Sequence, residues 1–378
     1  MIETFSRGWR GSGATPSCRL PIRVIRGSFV VLLFCSLPAA YAKCPVNENT
    51  TLVVRAETAD LQVDSTGREP VVDVQADGAQ VRENCAKDKA EYTGNGARVL
   101  KITTPKDIDL DLVTQGGNIN VGDVDGNAVL RTSGGSVTTG HIKGNAVITT
   151  QGGPIKSGSI GGNAELRSPG TIEVGDVGGN AEFHTTAGRI TAGNIGGSTT
   201  IAEAGQTISI LKAGEVKATT KGDISIGEAA RINAKSGGGH ITTRRVRGPF
   251  QGHTEQGDIR LDSAGSWVEA STGQGNILVR MMPENFDGDL HMDLQAGIGD
   301  VVVYLPPRMH ASIDATVQRP SFQSQQIISD FPTTPARPPQ GLIPNRYYTP
   351  THSEFSSNGG GNLIVLHTSL GKITIRKN

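Results

Sequence analysis

A Gly-x-(Ile/Val) step recurs along this chain with its aliphatic residue at Ile119, Val137, Ile155, Ile172, Ile190, Ile224, Ile241, Ile259 and Ile277. Ile208, in Gly205-Gln206-Thr207-Ile208, fills the one gap, so successive steps lie 16 to 18 residues apart. That interval is too short for a helical pair or a propeller blade, and it is held over ten units, which makes each unit one coil of a solenoid. Aligned on the step, the coils sort by side-chain chemistry with the period of two that a strand requires. Val121, Thr139, Val174, Ile210, Ile226, Leu261 and Val279 follow two residues on and share the inner face, while Asn120, Thr138, Lys156, Glu173, Ser209 and Arg260 lie between and face water. Further aliphatics recur at Val124, Ile142, Ile160, Val177, Ile195 and Val246, and a second short strand carries Leu130, Ile148, Leu166, Phe183 and Ile201. The core is expected to be a stack of like residues.

Composition agrees with that reading. Glycine accounts for 50 of 378 residues and aromatics for 4%, so an aromatic-rich globular core is excluded. Lysine plus arginine equals aspartate plus glutamate at 36 each, which argues against a basic nucleic-acid binder. Gly-Asn-Ala occurs at Gly126-Asn127-Ala128, Gly144-Asn145-Ala146, Gly162-Asn163-Ala164 and Gly179-Asn180-Ala181. Asn127, Asn145, Asn163 and Asn180 are therefore expected to stack as a structural ladder at a tight corner, each amide bonding its neighbours. The fold class expected is all-β, a single-stacked β-solenoid of about 17–18 residues per coil with capped ends. Ten coils advancing by the strand spacing make a rod about 48 Å long.

The remainder of the chain supplies the flanks. Residues 1–42 read as a secretory signal peptide, with Arg7, Arg10, Arg19, Arg23 and Arg26 before the apolar stretch 29–37 and a small-x-small site at Ala40-Tyr41-Ala42. Nowhere is there an apolar run long enough for a membrane-spanning helix. Cleavage leaves Cys44 and Cys85 as the only thiols, and a compartment outside the inner membrane favours their disulfide. The chain is expected in the periplasm, at the cell surface or secreted. Residues 43–113 form an N-terminal β cap region, residues 114–305 the repeat domain, and residues 306–378 a proline-rich loop followed by closing strands.

These features resemble the bacterial putative-adhesin β-strand-repeat family, a domain of unknown function read as a β-solenoid. The resemblance spans roughly residues 52–378. It rests on the reiterated Gly-x-Ile steps, Gly299-Asp300-Val301-Val302-Val303-Tyr304-Leu305-Pro306, Ile328-Ser329-Asp330-Phe331-Pro332, and Gly359-Gly360-Gly361-Asn362-Leu363 with Gly371-Lys372-Ile373. It implies an envelope or surface setting and brings no catalytic residues. The crisp Gly-Asn-Ala coils and the proline-rich insertion depart from the family pattern.

Candidate chemistry is sparse. Asp123-Val124-Asp125-Gly126-Asn127 has the alternating oxygens of a calcium loop, but the next coil places His141 and Lys143 at the equivalent positions and no bidentate glutamate follows. No metal or cofactor is expected. Arg244, Arg245 and Arg247 form the conspicuous basic cluster, a candidate patch for an anionic ligand. Asp223, Glu228, Asp258 and Asp262 are the best-placed acids for a polysaccharide-active lyase or hydrolase, and Asp223 and Asp258 share a row with Asp300. No base accompanies them. Trp267, Tyr347 and Tyr348 are the conspicuous aromatics for glycan contact. The reading that follows is an exported, non-enzymatic adhesin or envelope scaffold whose partner is a surface glycan or an envelope protein. The alternatives are a polysaccharide-active β-helix enzyme and a self-assembling scaffold.

Overall fold

The computed structural model describes residues 40–48, 50–77, 80–86, 88–318, 326–332 and 351–378. The signal-peptide assignment falls almost wholly outside these residues, as do Tyr347, Tyr348 and most of the proline-rich loop. Among the described residues all regular structure is β, in strands that pair coil upon coil. The chain is a single-stacked all-β solenoid.

Each coil of the repeat has two strands joined by a short third wall. Ile119–Val121 on the first face pairs in parallel with Val137–Thr139 of the next coil, which pairs with Ile155–Ser157. On the second face Ala128–Thr132 pairs with Ala146–Thr150, and that strand with Ala164–Arg167. Val124, Ile142, Ile160, Val177 and Ile195 bridge in parallel along the third wall. Register follows the repeat in these strands because a slip of one residue would turn every buried aliphatic outward, and it shifts only locally, between Ile201 and Ala204 and between Leu261 and Ala264. Ile119, Leu130, Val137, Ile142 and Ile148 are all fully buried, and one apolar cluster runs the length of the stack.

Among the described residues fifteen parallel strands line the second face, from Lys89–Asn95 at one end to Ala311–Val317 at the other. At the strand spacing this stack is about 67 Å long, longer than the ten-coil estimate because both flanks add coils of their own. Glycine is required at one corner of three coils. Gly257, Gly275 and Gly299 hold φ of 136°, 151° and 145°, and a Cβ on Gly275 would strike the Gly257 carbonyl one coil below.

Both ends close in the same manner. Near the N-terminus Thr51–Ala56 lies between Lys89–Asn95 and Asp109–Thr114, and Asp60–Asp64 lies between Val99–Thr103 and Ile119–Val121. The chain thus lays down an inner coil first and then covers it. Antiparallel strands finish the edges: Val71–Ala76 and then Ala40–Pro45 on the first face, Gln80–Ala86 on the second. The Cys44–Cys85 disulfide, with Cα atoms 5.6 Å apart, joins the outermost strands of the two faces. At the other end Asn362–Leu370 slots between Met292–Ile298 and Ala311–Val317, and Ile373–Lys377 between Val301–Leu305 and Ile327–Ser329. Thr351–Ser357 closes the second face antiparallel to Ala311–Val317.

Tyr92 spans the N-terminal cap, its buried hydroxyl donating to the Val72 carbonyl at 3.3 Å. Burial, reinforced by the nearby Glu83 carboxylate, pushes its phenol from 10.0 up to about 12. Between these two values the unfolded phenol ionises while the folded one stays neutral, so stability falls as pH rises through that window. We expect the denaturant midpoint of the cap to hold steady below pH 10 and to drop between pH 10 and 12, and Tyr92→Phe to flatten that drop. An equal drop in the variant would assign the alkaline sensitivity to another group.

Candidate functional site

Side-chain ladders occupy the corners of the coils. Asn127 accepts the backbone N–H of Asn145 through Oδ1 at 2.9 Å, Asn145 that of Asn163 at 2.8 Å, Asn163 that of Asn180 at 2.8 Å, and Asn180 that of Ser198 at 2.9 Å. Asp109 starts this row by accepting the Asn127 N–H at 2.7 Å. Each amide therefore satisfies a backbone donor that the turn would otherwise leave unpaired.

The row containing Asp223, Asp258 and Asp300 has the same construction. Asp223 Oδ1 accepts the His240 N–H at 2.8 Å, His240 Nδ1 accepts that of Asp258 at 3.0 Å, and Asp258 Oδ1 accepts that of Asn276 at 2.7 Å. Asn276 and Asp300 continue to Lys372, both contacts at 2.8 Å. Asp223 and Asp258, two of the four candidate acids, and Asp300 of the same row thus each hold the next coil. Asp258→Ala is expected to cost about 0.5–1.5 kcal/mol by removing the acceptor of the Asn276 N–H, whereas Asp262→Ala, outside the row, stays within about 0.5 kcal/mol. Melting temperatures of the two variants provide the comparison; equal values would contradict the ladder's role.

A third ladder emerges only in the folded chain. Thr114, Thr132, Thr150, Ser168 and Thr185 are buried, each just before the Gly that opens the next step. Thr132 Oγ1 donates to the Gly117 carbonyl at 2.7 Å and accepts the Gly135 N–H at 3.1 Å, and Thr150 repeats both bonds with Gly135 and Gly153. The recurrence of a hydroxyl residue two or three positions before glycine is its signal in the sequence.

The arginine cluster is partly closed by its own neighbour. Arg244 and Arg247 both reach Glu228, at 3.3 and 3.8 Å, while Arg245 makes no ion pair among the described residues. Asp262 is held by Arg260 at 2.8 Å, so Glu228 and Asp262 serve separate pairs. Asp123 accepts the His141 N–H at 2.8 Å in another corner ladder. His352 lies between Asp314, 3.3 Å from Nδ1, and Glu354, 3.0 Å from Nε2. These three groups have ligand-type atoms within 4.8 Å of one another, but the two carboxylates engage opposite ring nitrogens of a partly exposed imidazole.

An open groove of about 400 Å³ lies on the outer side of the second face. Strands Ile224–Ser236, Phe250–Gln256, Val268–Gln274 and Met292–Ile298 carry it, and alternation turns Asn233, Gln251, Glu269 and Asp293 outward as one row with Lys235, His253, Ser271 and Gln295 as the next. Asn233 donates to Gln251 at 3.2 Å, Gln251 donates to Glu269 at 2.9 Å, and His253 bonds Ser271 at 2.8 Å. In the next row over, half-buried Trp267 stacks on His291, with ring centroids 5.2 Å apart and planes inclined by 13°.

No family model and no curated relative matches the chain. Solved structures similar to it include a putative cell adhesion protein from Clostridium sporogenes, 8% identical over 90% of this chain and 100% of that one, with a TM-score of 0.18. A putative lipid binding protein from Parabacteroides distasonis is 13% identical over 68% of this chain and 94% of the other, with a TM-score of 0.22. A putative adhesin from Bacteroides fragilis is 11% identical over 71% and 97%, with a TM-score of 0.18.

Proposed function

We propose that this chain is an exported, non-enzymatic β-solenoid of adhesin or envelope-scaffold type, presenting a repetitive polar surface to a surface glycan or an envelope partner. The observation that carries this reading is the ladder through Asp223, Asp258 and Asp300, which engages in backbone capping the acids that a polysaccharide-cleaving enzyme would need free. A rigid stack spaces outward side chains at one-strand intervals, so many weak contacts combine without one dominant residue. Export is supported by the Cys44–Cys85 disulfide, which suits an oxidising compartment. No helix among the described residues is long and apolar enough to cross a membrane. The self-assembling alternative needs open coil ends, and the antiparallel strands on both ends disfavour it.

The test is a combined screen of the chain from Lys43 onward on a glycan array, on whole cells and for turnover of anionic and neutral polysaccharides. Retention without turnover is the expected result. Release of reducing ends or unsaturated sugars, abolished by Asp223→Asn or Asp258→Asn, would replace display with catalysis.

A further inference from the structure

We infer that the groove beside Trp267 is a binding site for an uncharged, hydroxyl-rich saccharide chain, an assignment that rests on the display reading and gives it a place and a ligand class. The first argument is the break in the repeat. Asn276 and Asp300 occupy successive rungs yet stand 24 residues apart, where Asp258 and Asn276 stand 18 apart. The extra residues lie in the loop 282–291, which is anchored by buried Leu290 and its bond to Asn362 and leaves Met282 53% and Phe286 39% exposed. An insertion on a rigid scaffold is where binding residues are usually carried. This one delivers His291 onto the Trp267 ring and brings its Nε2 to within 3.7 Å of Glu269.

The second argument is the change of outward chemistry along the second face. Nearer the N-terminus the row is locked into ion pairs, Arg55 with Asp111 at 2.6 Å and Arg167 with Glu182 at 2.6 Å. In the groove it becomes amides, one imidazole and carboxylates, planar groups that together offer adjacent hydroxyls both donors and acceptors. An aromatic pair on one edge offers contact to the apolar C–H faces of sugar rings. Lys235 is outnumbered by Glu269 and Asp293, so an anionic polymer is disfavoured, and the coil spacing of about 4.8 Å sets a polar side chain at each interval along the groove.

The experiment measures binding to immobilised neutral β-glucan and mannan and to the anionic polymers alginate and heparin, for the chain from Lys43 onward and four variants. Trp267→Ala and the double variant Gln251→Ala/Glu269→Ala test the groove; Asn120→Ala, on the other face, and Arg244→Ala/Arg245→Ala/Arg247→Ala serve as controls. All these positions are exposed or half-buried, and unchanged melting temperatures verify folding. The expected result is binding to a neutral polymer, insensitive to salt, weakened at least about tenfold by both groove variants and unchanged in both controls. Unchanged affinity in the groove variants overturns the site, as does binding confined to anionic polymers and lost in the arginine variant. Retention on whole cells with no polysaccharide bound refutes the saccharide class and leaves display standing. Loss of both cell and polymer binding removes the display reading itself.

Discussion

A chain ending at Gly361 is expected to lose its C-terminal closure and associate with itself. The deleted segment carries Ile364, Leu366, Ile373 and Ile375, all fully buried. It also forms the coil between Met292–Ile298 and Ala311–Val317, so its removal unpairs strands on both sides. Each such aliphatic contributes about 2–5 kcal/mol when truncated, enough in sum to melt the last coils whatever the rest of the rod does. The uncovered strand Val301–Leu305 then presents a hydrophobic edge with unpaired backbone. Sedimentation velocity should show concentration-dependent multimers for the shortened chain and none of that kind for the full one. A shortened chain with unaltered melting and sedimentation would mean that the final segment is an ornament.

Reduction of Cys44–Cys85, or its replacement by two serines, is expected to loosen the opposite end by about 4 kcal/mol, the chain-entropy value for a loop of 41 residues. The bond ties the outermost strand of one face to that of the other, so its loss frees Ala40–Pro45 and Gln80–Ala86 first. Because each coil touches only its neighbours, the effect should fade along the rod. Hydrogen exchange is the suitable measurement. Amides in residues 43–103 should lose protection on reduction while those of Ile155–Ser157 and beyond keep theirs. Uniform loss along the chain would show a single cooperative unit instead.

The repeat was legible because its physics is local. An Ile or Val every 16 to 18 residues, with alternation on either side, fixes a strand, its inner face and its partner in the next coil. The corner asparagines could be read for the same reason. The end coils could not, since nothing in Asn362 to Lys377 records that this stretch slips beneath a coil already laid down; that choice depends on contacts between segments far apart in sequence. The groove was half visible. Trp267 stood out as a rare aromatic, but its partner His291 reaches it across an insertion, and the amides of Asn233 and Gln251 become one row only once the coils are stacked. The acids at Asp223 and Asp258 looked like potential chemistry because sequence shows the carboxylate and hides the backbone amide it holds.

Burying Asn362–Lys377 beneath windings laid down earlier constrains how such a molecule changes size over generations. Trimming residues back through that stretch would tear out a layer that others rest upon. Duplication of a whole winding in the uniform middle, for example the stretch that begins at Ile155 and runs up to Ile172, would lengthen the rod while both closures stay intact.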